Sequence, residues 1–115
     1  MTPAYYENGQ LTYTGNNDVL DISTLTLDSD NCGDTEKLLV TTFVFKNVTR
    51  IIREYLPNYT LNNIFPNITT IVLPEGLIEI GSHVFQQMGK LIDVNLPASL
   101  TIIGGYCFMN CSSLK

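Results

Sequence analysis

The chain has no tryptophan, one histidine (His83) and only six lysines and arginines among its 115 residues. Each shortage removes a class of function. From Met1 to Glu36 there are seven acids and no Lys or Arg, and the one basic cluster, Lys46, Arg50 and Arg53, is diluted by Glu54. Nucleic-acid binding needs a basic footprint that displaces phosphate counterions, so DNA and RNA are excluded as partners. With one histidine, no Gly-x-Ser-x-Gly, no phosphate loop and no acid pair in a pocket-forming context, catalysis lacks its usual groups. Neither an enzyme nor a cofactor is expected. No run approaches the ~18 apolar residues of a membrane helix. The start, MTPAYYENGQ, has neither the charged opening nor the apolar core of a secretory signal. No membrane insertion is expected.

Cysteine is scarce as well. Cys32, Cys107 and Cys111 are three, an awkward number for a disulfide framework. A zinc site would need a fourth ligand, and His83 is the only histidine. Cys107 and Cys111 read as small buried apolar residues. The acidic stretch 28–34, DSDNCGD, has two acids two apart and a glycine at the sixth place, like the opening of a calcium loop. Its fifth place is Cys32 and its twelfth would be Leu39 instead of a bidentate glutamate, so it is read as an acidic surface turn.

What the chain does have is an internal period. The stretch from Ile68, ITTIVLPEGLIEIGSHVFQQMGK, lies over the stretch from Leu91, LIDVNLPASLTIIGGYCFMNCSSLK, without a gap at an offset of 91 − 68 = 23. Leu73/Leu96, Pro74/Pro97, Leu77/Leu100, Ile80/Ile103, Gly81/Gly104 and Phe85/Phe108 are identical. Cys107 and Cys111 fall in the columns of Val84 and Met88, which is why they read as core. A fixed period of this size is the mark of a stacked repeat array. Within each unit, apolar-x-x-apolar-x-Leu-Pro predicts a short strand that proline stops. Gly81 and Gly104 predict a tight turn with positive φ, and Phe85 and Phe108 fill the interior from the outer side.

The remaining elements follow from local chemistry. YYE and QLTYT alternate around Asn8-Gly9 and predict a hairpin over 4–14. Residues 15–18, GNND, read as a second turn, and 19–27 as another strand with Leu20, Ile22 and Thr24 on one side. Residues 38–45, LLVTTFVF, read as a strand. FKNVTRII at 45–52 aligns with FPNITTIV at 65–72 at an offset of 20, which predicts a degenerate, shorter unit over 48–67. A brief helical turn is expected over 51–56, closed by Pro57. The organisation expected is a β-rich N-terminal cap over 1–37 and repeats over 38–115, divided as 48–67, 68–90 and 91–113, with another unit opening at Leu114. That last feature favours a piece of a longer array.

The pattern LxxVxLPxSLTxIGxYCFxNCSSL resembles the BspA-type leucine-rich repeat, the 23-residue class of leucine-rich repeat proteins. The match is close over 68–115, weak over 48–67 and absent before that. The resemblance implies a β-rich leucine-rich repeat solenoid with short parallel strands, one per repeat, and an irregular outer face. It also implies a non-catalytic module that binds a protein or glycan partner at a cell surface, as in adhesin-like proteins. An intracellular scaffold or regulatory repeat protein without an adhesive role is the alternative, which the lack of a signal favours.

The sheet face is the contact surface such a family uses. Alternation places Arg50, Thr70 and Asp93 in one expected column and Ile52, Val72 and Asn95 in a second, flanked by Thr49, Thr69 and Ile92. Four N-x-Ser/Thr sequons begin at Asn47, Asn58, Asn67 and Asn110. They are candidate N-glycosylation positions. Three of them stand two residues after a phenylalanine, which also fits a recurring turn asparagine. His83 aligns with Tyr106 on the outer turn and reads as a surface residue.

Overall fold

Asn8 and Gly9 take left-handed backbone angles, φ 50 and 83, as a two-residue hairpin turn with both φ positive requires. They join β1 (Tyr5–Glu7) to β2 (Gln10–Asp21) in antiparallel pairing, with Tyr5 opposite Thr12 and Glu7 opposite Gln10. The expected hairpin is thus present. The computed structural model describes residues 4–22, 31–53, 64–109 and 111–114. Several expectations lie outside them: the strand beyond Ile22, residues 28–30 of the acidic turn, the helical turn beyond Arg53, and the sequon residues Asn58 and Asn110.

The second turn, at 15–18, does not form. β2 runs on to Asp21 beside β3 (Thr42–Ile52), parallel to it, and the pairing slips between Thr14 and Asp18. Asn17 has φ 58 and Asn47, across from it on β3, has φ 56. A Cβ at Gly15 would sit 2.6 Å from the Asn47 carbonyl oxygen. The turn-forming residues are spent on a bulge that kinks two neighbouring strands together.

The expected strand over 38–45 is also displaced. Residues Asp34–Leu39 form α1, and Glu36 accepts the Gly33 N–H at 2.9 Å through its side chain. That carboxylate and Asp34 sit in the first turn, where they satisfy free N–H groups and the helix dipole. Leu38 and Leu39 end the helix exposed. The strand begins only at Thr42.

β4 (Thr70–Val72), β5 (Glu79–Ile80), β6 (Asp93–Val94) and β7 (Ile102–Ile103) complete an open sheet of seven strands. Its main order is β1-β2-β3-β4-β6, and β3, β5 and β7 form a second lane from the far end of β3. A single hydrogen-bond signature marks where each unit starts. Gly9 C=O accepts from Thr41 and Thr42, Thr41 C=O from Thr69 and Thr70, and Thr69 C=O from Ile92 and Asp93. The spacings are therefore 41 − 9 = 32, 69 − 41 = 28 and 92 − 69 = 23. The shorter unit over 48–67 is not what the strands build. Thr42, Phe43 and Val44 lie beside Thr70, Ile71 and Val72, an offset of 28 where 20 was expected. Ile51 and Ile52, expected to open a helical turn, are strand.

The inward positions stack in register. Leu11, Phe43, Ile71 and Val94 make one column, and Leu20, Ile51, Ile80 and Ile103 make the other. Aromatic rings run through the interior. Phe43 stacks on Phe45 at 4.3 Å, Phe65 meets Phe43 edge-on at 6.0 Å, and Phe85 stacks on Phe108 at 5.7 Å. Phe45 and Phe65 thus enter one core from different elements. Their similar flanks misled the offset-20 alignment.

Gly81 and Gly104 do not take positive φ; Gly9 and Gly76 do. Close approach is the reason for glycine here. A Cβ on Gly81 would lie 3.3 Å from the Ile52 Cα, and one on Gly104 would lie 2.6 Å from the Gly81 carbonyl carbon and against Ser82 N. Each glycine lets one unit rest on the backbone of the unit before it.

Candidate binding face

The non-inward side chains of β2, β3, β4 and β6 share one face. Gln10, Thr42, Thr70 and Asp93 are successive partners across the four strands. Thr12, Val44 and Val72 form the next column. Of the six sequence-predicted contact residues, Thr70 and Asp93 are brought side by side. Asn95, just beyond β6, bonds β4's unit through its carboxamide: Leu73 N–H donates to Oδ1 at 2.7 Å and Nδ2 donates to Leu73 C=O at 3.0 Å. Val72 stays exposed next to that contact.

Arg50 and Ile52 are elsewhere. Arg50 lies between Val19 and Glu79 in the second lane, and Ile52 lies beside Asp21. The Arg50 Nε donates to Glu79 Oε1 at 2.9 Å, an ion pair on an exposed surface. The column therefore reads Val19, Arg50, Glu79, Ile102, and its two charges pair within it. Gln10, Thr12, Thr42 and Val44 are the face residues that the ungapped alignment missed. The quartets QLTY at 10–13, TFVF at 42–45, TIVL at 70–73 and DVNL at 93–96 carry the signal in their shared alternation.

At the β1 edge the face dips into an open depression of about 340 Å³ lined by Tyr5, Glu7, Asn8, Gln10 and Thr12. Gln10 Nε2 donates to Thr12 Oγ1 at 3.2 Å, which orders two of these groups. Along the sheet, hydroxyls tie units together: Thr69 Oγ1 donates to Thr41 C=O, Thr101 Oγ1 to Ile78 C=O and Ser99 Oγ to Leu77 C=O.

The sequons do not share one structural position. Asn47 is an exposed residue inside β3, whereas Asn67 sits in the turn before β4. Asn67 Nδ2 donates to Leu38 C=O at 2.8 Å, and Lys90 Nζ donates to Asn67 Oδ1 at 2.6 Å. On the outer turn, His83 and Tyr106 both take left-handed angles, and their rings stack at 5.2 Å. His83 Nδ1 lies 2.7 Å from Gln86 Oε1.

Cys32 and Cys107 are buried and Cys111 is half-buried, all three as free thiols. Burial pushes the Cys107 thiol up to about 11, partly offset by backbone hydrogen bonding at Phe85 and Val84. It raises Cys111 and Cys32 in the same direction. Among the described residues no group of three His, Cys, Asp or Glu side chains could hold a metal, and no helix is long and apolar enough to cross a membrane.

The family model for the BspA type Leucine rich repeat region (6 copies) matches residues 37–115. No curated protein and no solved structure gives a significant match. That family match begins inside α1 and spans most of the chain. The chain belongs to the BspA-type leucine-rich repeat family.

Proposed function

We propose that this chain is a non-catalytic binding module of a cell-surface, adhesin-like protein, holding a protein or glycan partner on the exposed side of its sheet. The family is one of repeat proteins that bind and is typically surface-associated. The observation that carries the reading is the unbroken column Gln10, Thr42, Thr70, Asp93, which crosses four strands on one face. Hydroxyl, amide and carboxylate groups on a rigid sheet are suited to directional hydrogen bonding, and hydrogen bonds need fixed partners to select a ligand. The depression beside Tyr5 adds a ring and a carboxylate at the end of that column.

In this reading the units form a short solenoid, and residues 1–37 act as its cap. An array needs a terminal piece that keeps its end out of water. Of the expected contact set, Thr70, Val72 and Asp93 lie on this face, joined by Gln10 and Thr42. Arg50 and Ile52 contribute to the second lane. Of the two described sequon residues, Asn47, exposed and off the interior, is the better suited to carry a glycan. Asn67 is better suited to locking its turn.

The test is capture of surface material on the immobilised chain, followed by affinity measurement with the captured partner. Thr42→Lys and Asp93→Lys are expected to weaken binding by roughly tenfold or more, as truncating a central contact does. Ser82→Lys, on the outer turn, serves as the control. Equal affinity in all three variants would remove the sheet face from the reading. Surface labelling of intact cells tests the location separately.

A further inference from the structure

The hairpin at the start of the sheet is held from both sides. β2 pairs with β1 through Tyr5, Tyr6 and Glu7. On the far side of β1, Tyr6 N–H donates to Asn31 Oδ1 at 2.6 Å and Asn31 Nδ2 donates to Tyr6 C=O at 3.0 Å. One carboxamide makes both bonds that a further strand would make there, and so seals the edge. Tyr6 and its partner Leu11 pack inward on the core. The alternate residues, Tyr5 opposite Thr12 and Glu7 opposite Gln10, therefore project together from the outer face. With Asn8 they line the depression of about 340 Å³, at the small end of the ~300–1,000 Å³ of ligand sites.

The lining is chemically selective. Tyr5, 58% exposed, presents an aromatic ring from a strand fixed on both sides. Gln10 uses one Nε2 hydrogen on Thr12 Oγ1 at 3.2 Å. Its Oε1, its second hydrogen and the Thr12 hydroxyl proton are left for a ligand. Glu7 adds two carboxylate acceptors and is the only lining residue charged at neutral pH. No Lys or Arg precedes Lys37 in the chain, and Lys37 lies beside Asp34 at 3.4 Å. An anionic ligand would meet that carboxylate with no cation in the lining to offset it. An ammonium only donates, so the Thr12 and amide donors would go unmatched. An extended peptide adding to the sheet would need the edge that Asn31 fills. A sugar ring satisfies every group. Its C–H face stacks on an aromatic ring, and each hydroxyl both donates and accepts, so neighbouring hydroxyls match a planar amide or carboxylate.

We propose that this depression is a subsite for one or two neutral sugar rings, stacked on Tyr5 and hydrogen-bonded to Glu7, Gln10 and Thr12. The assignment rests on the outer sheet face being where a partner sits, and it names the chemistry taken at the β1 end of that face. Holding the hairpin in place beforehand lowers the ordering cost of binding.

Saturation-transfer NMR on the 115-residue chain tests this, with far-UV circular dichroism as the check that each variant folds. The probes are methyl glycosides of neutral hexoses and N-acetylhexosamines, set against sialic acid and a sulfated hexose, at about 10 mM each to detect a Kd near ~1 mM. Saturation is expected to reach the ring protons of at least one neutral glycoside and neither acidic sugar. Tyr5→Ala should weaken that binding by about tenfold or more and Gln10→Ala by about threefold or more. Tyr5→Phe, which keeps the ring, should stay within about threefold of the parent chain, and Ser82→Lys should match it. Affinity should hold between about 0.05 and 0.5 M salt, because no ion pair forms. Silence from every neutral glycoside overturns the proposal, as does binding that survives Tyr5→Ala or falls steeply with salt. The sheet-face reading fails or stands separately. A captured partner whose affinity drops with Thr42→Lys or Asp93→Lys but not with Tyr5→Ala keeps that reading and overturns this one. Sugar binding lost in Tyr5→Ala and untouched by Thr42→Lys and Asp93→Lys keeps this subsite and confines recognition to the hairpin.

Discussion

The units over 68–90 and 91–113 share the same apolar and turn residues, yet the structure treats them oppositely. Leu73 is 3% exposed and Leu96 is 58%; Ile80 is 0% and Ile103 is 46%. Nothing in the side chains themselves separates the members of each pair. The difference is position in the stack. The first unit has a neighbour on each side, β3 on one and β6 with β7 on the other. Among the described residues the second has a neighbour on one side only. Hydrophobic stabilisation scales with the area taken from water, so an identical isoleucine contributes differently in the two units. In a repeat protein, stability belongs to the interfaces as much as to the units.

The most direct way to break that comparison is to truncate the same residue in both places. Ile80→Ala should destabilise the chain by about 2–5 kcal/mol, the usual range for an isoleucine buried in a packed core. Ile103→Ala should cost about 1 kcal/mol or less in dilute protein, since much of that side chain is already in water. Urea unfolding of both variants gives the two values. Equal losses at low concentration would mean that the last unit is covered within the monomer, and the asymmetry would fall.

How much of this was legible follows from the same pair of units. Where the spacing is constant, from Ile68 on, the alternation, the Leu-Pro stop and the inward phenylalanines were all readable, because a gapless overlay exposes them. The hairpin at Asn8-Gly9 was readable for a local reason: few other residue pairs meet two positive φ angles so easily. Earlier in the chain the spacing stretches to 28 and then 32 residues. FKNVTRII and FPNITTIV overlay without a gap at an offset of 20, yet the strands pair at an offset of 28. The overlay therefore puts Arg50 in the column of Thr70, whereas it pairs with Glu79. Gly81 and Gly104 are required by close approach and not by positive φ; both causes demand glycine, and sequence cannot tell them apart. The Asn31 seal has no signature at all, because it joins Tyr6 to a residue 25 positions away through a side chain.

A second contrast lies at Cys107, which stands where the preceding unit has Val84. Both are buried, but only the thiol titrates. Its pKa is pushed up to about 11 by burial, against about 8.5 for a free thiol. The folded chain then holds the proton to higher pH than the unfolded chain does. Stability from this group is complete below the unfolded value and declines as pH rises towards the folded one. The decline is up to about 1.4 kcal/mol per pH unit for one thiol. Cys107→Val should fold normally and reduce the alkaline loss of stability, followed as the urea midpoint between pH 8 and pH 11. The slope should shrink without vanishing, because burial also raises Cys111, Cys32 and Tyr13. An unchanged slope would show that the Cys107 site is as wet as the end beyond it.

The smallest effect belongs to the outward column of the second lane. Glu79 pairs with Arg50 at 2.9 Å, while Ile102, its counterpart one unit later and its neighbour on β7, carries no charge to pair. Glu79→Ile puts the later unit's residue into the earlier one and leaves Arg50 without its carboxylate. Arg50 is about half exposed at its side chain, so water solvates the guanidinium well once the partner is gone. An exposed ion pair contributes roughly 0.2–1 kcal/mol and is weakened by salt. The substitution should therefore shift stability by no more than that, and the difference from the parent chain should fade at about 1 M salt, where screening acts within ~3 Å. A loss that persists in high salt would mean that the glutamate stem packs against the sheet. The outward lane would then resemble the core in depending on neighbours, and the contrast between the two faces would be smaller than their charges suggest.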